Sequence, residues 1–156
     1  MSEHQHITRR LFSFVLLSST FVGSTKTWAA WPLVTVHKDP TCGCCSEWVT
    51  HLEVNGFRTK TIETKTINRI KAQLGVPNEL WACHTAQVGG YLIEGHVPAV
   101  AIEKLLATRP KAKGLAVPGM PSGSPGMTGE HEEYEVTLFG PKERRVFGKF
   151  KGDKEV

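Results

Sequence analysis

The sequence predicts an α/β domain with a mixed central sheet, flanking helices and an added C-terminal β-hairpin. Three observations predict it. Short alternating apolar runs are interleaved with apolar residues at helical spacing, in the order strand, helix, strand, helix, strand, strand, helix. Three of the four cysteines, Cys42, Cys44 and Cys45, crowd the junction between the first strand and the first helix. Two further alternating runs close the chain around Gly140-Pro141.

The first 29 residues read as an export signal rather than as part of the domain. Arg9-Arg10 precedes Leu11-Phe12 and an apolar stretch over residues 11–22, and the small residues around Ala29 and Ala30 suit cleavage. The arginine pair, with Lys26 near the cleavage site, resembles a twin-arginine signal. The apolar stretch falls short of the roughly 20 residues that span a bilayer. Residues 30–156 are therefore expected to be one exported, periplasmic domain, large enough for a single core. Without residues 1–29 the chain carries 16 basic and 14 acidic residues. That balance argues against nucleic acid or a membrane surface as partner.

Residues 33–37 alternate and form the first strand. Pro40-Thr41-Cys42-Gly43-Cys44-Cys45-Ser46-Glu47-Trp48 follows, with Trp48, Val49 and Leu52 at helical spacing and Asn55-Gly56 as the stop. A strand that feeds a cysteine-bearing turn at a helix start is the thioredoxin-like arrangement. Free N–H groups and the helix dipole at that end favour thiolate over thiol. Cys42 and Cys45, three apart, share one helical face, which Cys44 does not. Serving one centre with all three sulfurs then requires a distorted first turn or more than one metal ion.

Residues 57–62 alternate again, and Ile67, Ile70 and Leu74 form the apolar face of a second helix ended by Gly75-Val76-Pro77. A connecting segment delivers Cys83-His84. Two apolar runs around Gly89-Gly90 read as a hairpin. Residues 99–107 form the last helix, with Val100, Ile102, Leu105 and Leu106 as its buried side. This order is that of thioredoxin and glutaredoxin folds, whose third strand is normally entered through a cis-proline. Cys83-His84-Thr85-Ala86 stands there instead, and it aims a fourth sulfur and an imidazole at the site.

Residues 108–131 are rich in proline, glycine and serine and read as one long loop. Met120 and Met127 lie on it, and their soft thioethers suit Cu(I) better than zinc, unless they serve to pack the loop. Residues 134–139 and 144–150 form the closing hairpin, whose basic residues read as the solvated face of an edge strand. No phosphate-binding glycine loop, paired-carboxylate or Ser-His-Asp pattern rises above chance.

Cysteine chemistry leaves several readings open. In an oxidising compartment two structural disulfides are the plain alternative, but the adjacent Cys44 and Cys45 pair poorly with only Cys42 and Cys83 to share. A Cys42–Cys45 redox disulfide is geometrically easier, with Cys42 attacking and Cys45 resolving. Four cysteines also meet the ligand count of a zinc ion or an iron–sulfur cluster. His84 and His96 are read either as further ligands or as groups with no part in binding.

The combination of the Cys-x-Cys-Cys segment with Leu74-Gly75-Val76-Pro77, Cys83-His84-Thr85-Ala86, Val88-Gly89-Gly90-Tyr91, Glu94-Gly95-His96-Val97-Pro98 and the Gly119-Met120-Pro121 to Gly126-Met127 loop resembles the CopG-type family. These are exported bacterial proteins of thioredoxin-like fold associated with copper resistance, and the resemblance runs over residues 33–140. It implies copper binding by Cys42, Cys44, Cys45 and Cys83, as Cu(I) or as a small cluster in which thiolates bridge ions. Copper ions and other periplasmic copper-handling proteins are the expected partners. The chain is thus read as a metal-binding protein that sequesters or redox-handles Cu(I), an oxidoreductase being its catalytic variant. The alternative is a thiol–disulfide oxidoreductase that uses Cys42 and Cys45.

Overall fold

The alternation read at residues 33–37 becomes β1, Val34–Lys38, in which Val34, Val36 and Lys38 are buried while Thr35 and His37 are half-buried. The computed structural model describes residues 30–156, so the export signal expected over residues 1–29 lies outside the described residues. Among the described residues no helix is long and apolar enough to cross a membrane.

Asp39 ends β1 by capping the turn that follows. Its carboxylate accepts from the Thr41 amide at 2.8 Å and the Thr41 hydroxyl at 2.6 Å. These bonds hold the carboxyl below its ordinary range. The chain then enters α1, Gly43–Val54, which buries Cys45, Trp48 and Leu52. After β2, Thr59–Glu63, comes α2, Ile67–Leu74, which ends at Gly75 in the left-handed conformation.

The apolar face expected of α2 needs correction. Ile67, Ile70 and Leu74 are only half-buried, and the fully buried residue on that face is Lys71. Lys71 lies four residues after Ile67 and so shares its side of the helix. A short 3-10 turn, Asn78–Leu80, leads to the hairpin of β3, Thr85–Val88, and β4, Tyr91–Glu94. Gly89 and Gly90 turn it, both at positive φ.

Next is α3, Ala99–Thr108, which buries Ala99, Ala101, Ile102, Leu105 and Leu106. Val100, expected on the buried side, is 42% exposed, because a residue two positions from Ile102 faces the far side of a helix. The predicted loop over residues 108–131 also needs correction, since it contains a strand, β5, Gly114–Ala116. Three residues are too few to show a period, and β5 forms because two neighbours flank it. The closing hairpin is β6, Glu133–Phe139, and β7, Arg144–Lys151, with a two-residue β8, Lys154–Glu155, beyond it.

Among the described residues the eight strands form one mixed sheet in the order β2-β1-β3-β4-β5-β6-β7-β8. β1 and β2 are parallel, as are β4 and β5; every other pair is antiparallel. The main core packs Trp48 and Leu52 of α1 and Ile102 and Leu105 of α3 against Val34, Val36, Ala86, Ile93 and Leu115. A smaller cluster of Val76, Leu80, Leu92, Ala116 and Phe139 lies apart from it. Adjacent residues such as Leu92 and Ile93 fall in different clusters because successive side chains of a strand point to opposite faces. β4 is buried throughout, as befits a strand covered on both faces.

Candidate metal centre

Strand direction decides what meets at one end of the sheet. Because β3 runs antiparallel to β1, with Thr85 opposite His37, the start of β3 lies beside the end of β1. Because β4 runs antiparallel to β3, with Glu94 opposite Thr85, the end of β4 lies there too. Cys42 follows β1, Cys83 and His84 precede β3, and His96 follows β4. β5 is parallel to β4, so the loop over residues 117–127 leaves from the same end.

Three cysteines are delivered by the start of α1. Cys42 is its N-cap, in an extended conformation with φ −78° and ψ 99°, and is joined to Cys45 by a disulfide. Cys44 and Cys83 are free and half-buried. The Cys44 sulfur lies 3.6 Å from that of Cys42 and 4.0 Å from that of Cys83. Cys44, read as lying off the helical face shared by Cys42 and Cys45, nonetheless brings its sulfur close to that of Cys42. Helical angles do not apply to Cys42, which stands outside the helix, so its sulfur comes within reach of Cys44 with α1 undistorted. All four cysteine sulfurs fall within 4.8 Å of one another.

Cys83 is held from beneath. Glu94 accepts the Ala82 amide at 2.7 Å and pairs with Lys71, both side chains being wholly buried. Burial and the neighbouring Cys44 push the Cys83 thiol up to about 12.

Two imidazoles back the cysteine cluster. His96 Nδ1 donates to the Pro125 carbonyl at 2.7 Å, which leaves Nε2 as the free nitrogen 3.0 Å from the Cys83 sulfur. His84 Nδ1 is 3.4 Å from the same sulfur. The His84 ring packs on Trp48 with centroids 4.3 Å apart and meets His96 edge-on at 5.0 Å. Neither histidine is exposed. Burial lowers both imidazole pKa values, that of His84 well below the ordinary range, and keeps the rings neutral.

The methionine loop reaches the site through its backbone. Gly126 has φ +85°, and a Cβ there would stand 2.7 Å from the Cys44 carbonyl oxygen and the Trp48 nitrogen. Only glycine lets the loop rest on the first turns of α1. Met127 lines a groove beside α1 with Glu47, Thr50, His51 and Val54, while Met120 is 42% exposed.

Spacing alone did not reveal Lys71, Glu94 or the Pro125 carbonyl as parts of this site. Lys71 left one signal, a charge interrupting the apolar face of α2.

Residues 80–127 match a family described as "Protein of unknown function, DUF411". No curated protein matches the chain. Two solved structures, named copper resistance protein CopG in forms 1 and 2, are each 39% identical to it with a TM-score of 0.72. The form 2 match covers 76% of this chain and 98% of the other; the form 1 match covers 78% and 99%.

Proposed function

This chain belongs to the family of the copper resistance protein CopG, and we propose that it binds Cu(I) through Cys42, Cys44, Cys45 and Cys83. The observation that carries this reading is the gathering of all four sulfurs within 4.8 Å of one another. Thiolates are soft donors that favour Cu(I), and one thiolate can bridge two ions, so a thiolate-bridged cluster suits this crowding.

The disulfide form offers only Cys44 and Cys83, so four-sulfur binding begins with two-electron reduction of the Cys42–Cys45 bond by an external dithiol. Each sulfur that binds copper gives up its proton to solvent. Cu(I) sequestration is the primary role in this reading, and a change of copper oxidation state is its redox variant.

We read the fold as thioredoxin-like. The β2-β1-β3-β4 order and its pairing senses support this, with α1 carrying the cysteines after β1. The signal-like pattern read in the sequence of residues 1–29 supports a periplasmic location in this reading, with copper ions and other copper-handling proteins as partners.

A second reading has one specific observation in its favour. Cys42 and Cys45 are disulfide-bonded, the pairing in which Cys42 attacks and Cys45 resolves in a thiol–disulfide oxidoreductase.

Metal analysis with thiol counting on the same sample separates the two. Reduced protein loaded with Cu(I) under anaerobic conditions is expected to retain at least one copper per chain, with loss in C42S/C45S and a sharp fall in C83S. Protein that retains no copper yet reduces disulfide substrates overturns the copper reading in favour of the second.

A further inference from the structure

We propose that Glu94, paired with Lys71, is a positioning residue: it fixes where the Cys83 sulfur stands and so decides whether copper meets four sulfurs or three. The consequence for copper rests on the reading above; the placement of Cys83 does not.

Glu94, the last residue of β4, and Gly95 after it grip Cys83 from both sides. Glu94 Oε1 accepts the Ala82 amide at 2.7 Å, and the Gly95 amide donates to the His84 carbonyl at 3.1 Å. Gly95 also lets the segment come close. At its φ of +72°, a Cβ there would stand 2.7 Å from the Ala82 Cβ and from the Val117 carbonyl oxygen.

The reach of Cys83 is short enough for this grip to matter. Cys42, Cys44 and Cys45 are sequence neighbours, whereas Cys83 arrives from the far side of α2 in the chain. A metal–thiolate bond is about 2.3 Å long, as in zinc thiolates, so two sulfurs on one ion stand at most about 4.6 Å apart. The Cys83 sulfur is 4.0 Å from that of Cys44. A retreat of about 1 Å therefore takes Cys83 off an ion that Cys44 holds.

Stability alone does not account for the pair. Both side chains are wholly buried, and apolar residues of similar volume often replace such pairs without loss, sometimes with a gain. What apolar residues cannot supply is the acceptor for Ala82. Paired with Lys71, that acceptor is a carboxylate, whose hydrogen bonds are shorter and stronger than those of a neutral oxygen.

The test compares K71M/E94L with K71M/E94Q, since both remove the ion pair but only Gln keeps an acceptor for Ala82. Reduced protein is titrated anaerobically with Cu(I) against a colorimetric chelator. K71M/E94Q is expected to match the copper content of the unmodified protein. K71M/E94L is expected to fall to that of C83S, with no further fall when C83S is added to it. Unchanged copper in K71M/E94L, or an equal fall in both double variants, overturns the proposal. A metal-free measurement keeps it separate from the copper reading. With the Cys42–Cys45 disulfide closed, alkylation by iodoacetamide is expected to quicken severalfold at Cys83 but not at Cys44 in K71M/E94L, and at neither in K71M/E94Q. Equal Cys83 rates in the two variants overturn the proposal. Unmodified protein that takes up no Cu(I) overturns the copper reading, and the alkylation rates still decide the placement of Cys83. Should K71M/E94L fail to fold, the unmodified protein decides: its Ala82 amide is expected to resonate downfield and exchange slowly, and exchange as fast as in an exposed loop overturns the proposal.

Discussion

Lys71 and Glu94 form an ion pair from which water is wholly excluded, and the same carboxylate accepts the amide of Ala82, the residue before Cys83. The pair thus ties α2 and β4 to the segment that presents the distal cysteine. Burial lowers the Lys71 pKa and raises that of Glu94, and each partner's charge works against that cost. Lys71→Met leaves a bare carboxylate in the interior and is expected to destabilise the protein by about 3–5 kcal/mol. Adding Glu94→Gln should recover most of that loss, because the amide oxygen still accepts from Ala82 and no unpaired charge remains. Urea unfolding of the three proteins checks this; a single-variant loss below about 1 kcal/mol would rule out a buried ion pair.

Gly126→Ala tests the seat of the methionine loop. At φ +85°, and with the Cys44 carbonyl and Trp48 nitrogen 2.7 Å from any added Cβ, the loop must lift from α1. The backbone conformation alone costs about 1–2 kcal/mol. A lowered thermal midpoint is expected together with a red shift of Trp48 fluorescence. A change in midpoint without the spectral shift would place the strain elsewhere.

His51 predicts a pH dependence. Its Nε2 accepts the Ala99 amide at the start of α3 at 3.0 Å. Burial lowers its pKa from 6.5, with Asp153 partly opposing. A depressed folded-state pKa means that the unfolded chain binds the proton more readily. Stability from this group is therefore present above about 6.5 and is lost as pH falls through the folded value. The buried His84 and His96 act with the same sign. His51→Gln should show a smaller drop in urea midpoint than the unmodified protein between about pH 7.5 and pH 5. Equal drops would mean that His51 does not contribute.

Cys83 predicts proton release. With its thiol pushed up to about 12, it carries a proton at neutral pH, so copper that binds this sulfur must expel it. Apparent affinity should rise about tenfold per pH unit for this one proton. Anaerobic Cu(I) titration in weak buffer with a pH indicator should register one proton fewer for Cys83→Ser. Equal release from both proteins would exclude Cys83 as a ligand.

The sequence by itself determined the local elements and one half of the site. Alternation at Val34 and Val36, the apolar spacing from Trp48 to Leu52 and the Gly89-Gly90 turn act over a few residues, so their signals survive in the linear chain. The clustering of Cys42, Cys44 and Cys45 is likewise a matter of sequence neighbours. Tertiary structure decided the rest. β5 exists because β4 and β6 flank it, and Lys71 is buried because Glu94, 23 residues away, supplies its counter-charge. Cys44 meets Cys42 because the N-cap is not helical. His96 meets Cys83 because antiparallel pairing of β3 and β4 brings the start of one strand beside the end of the other. Such contacts depend on strand direction and register, which arise from non-local hydrogen bonding that residue spacing does not encode.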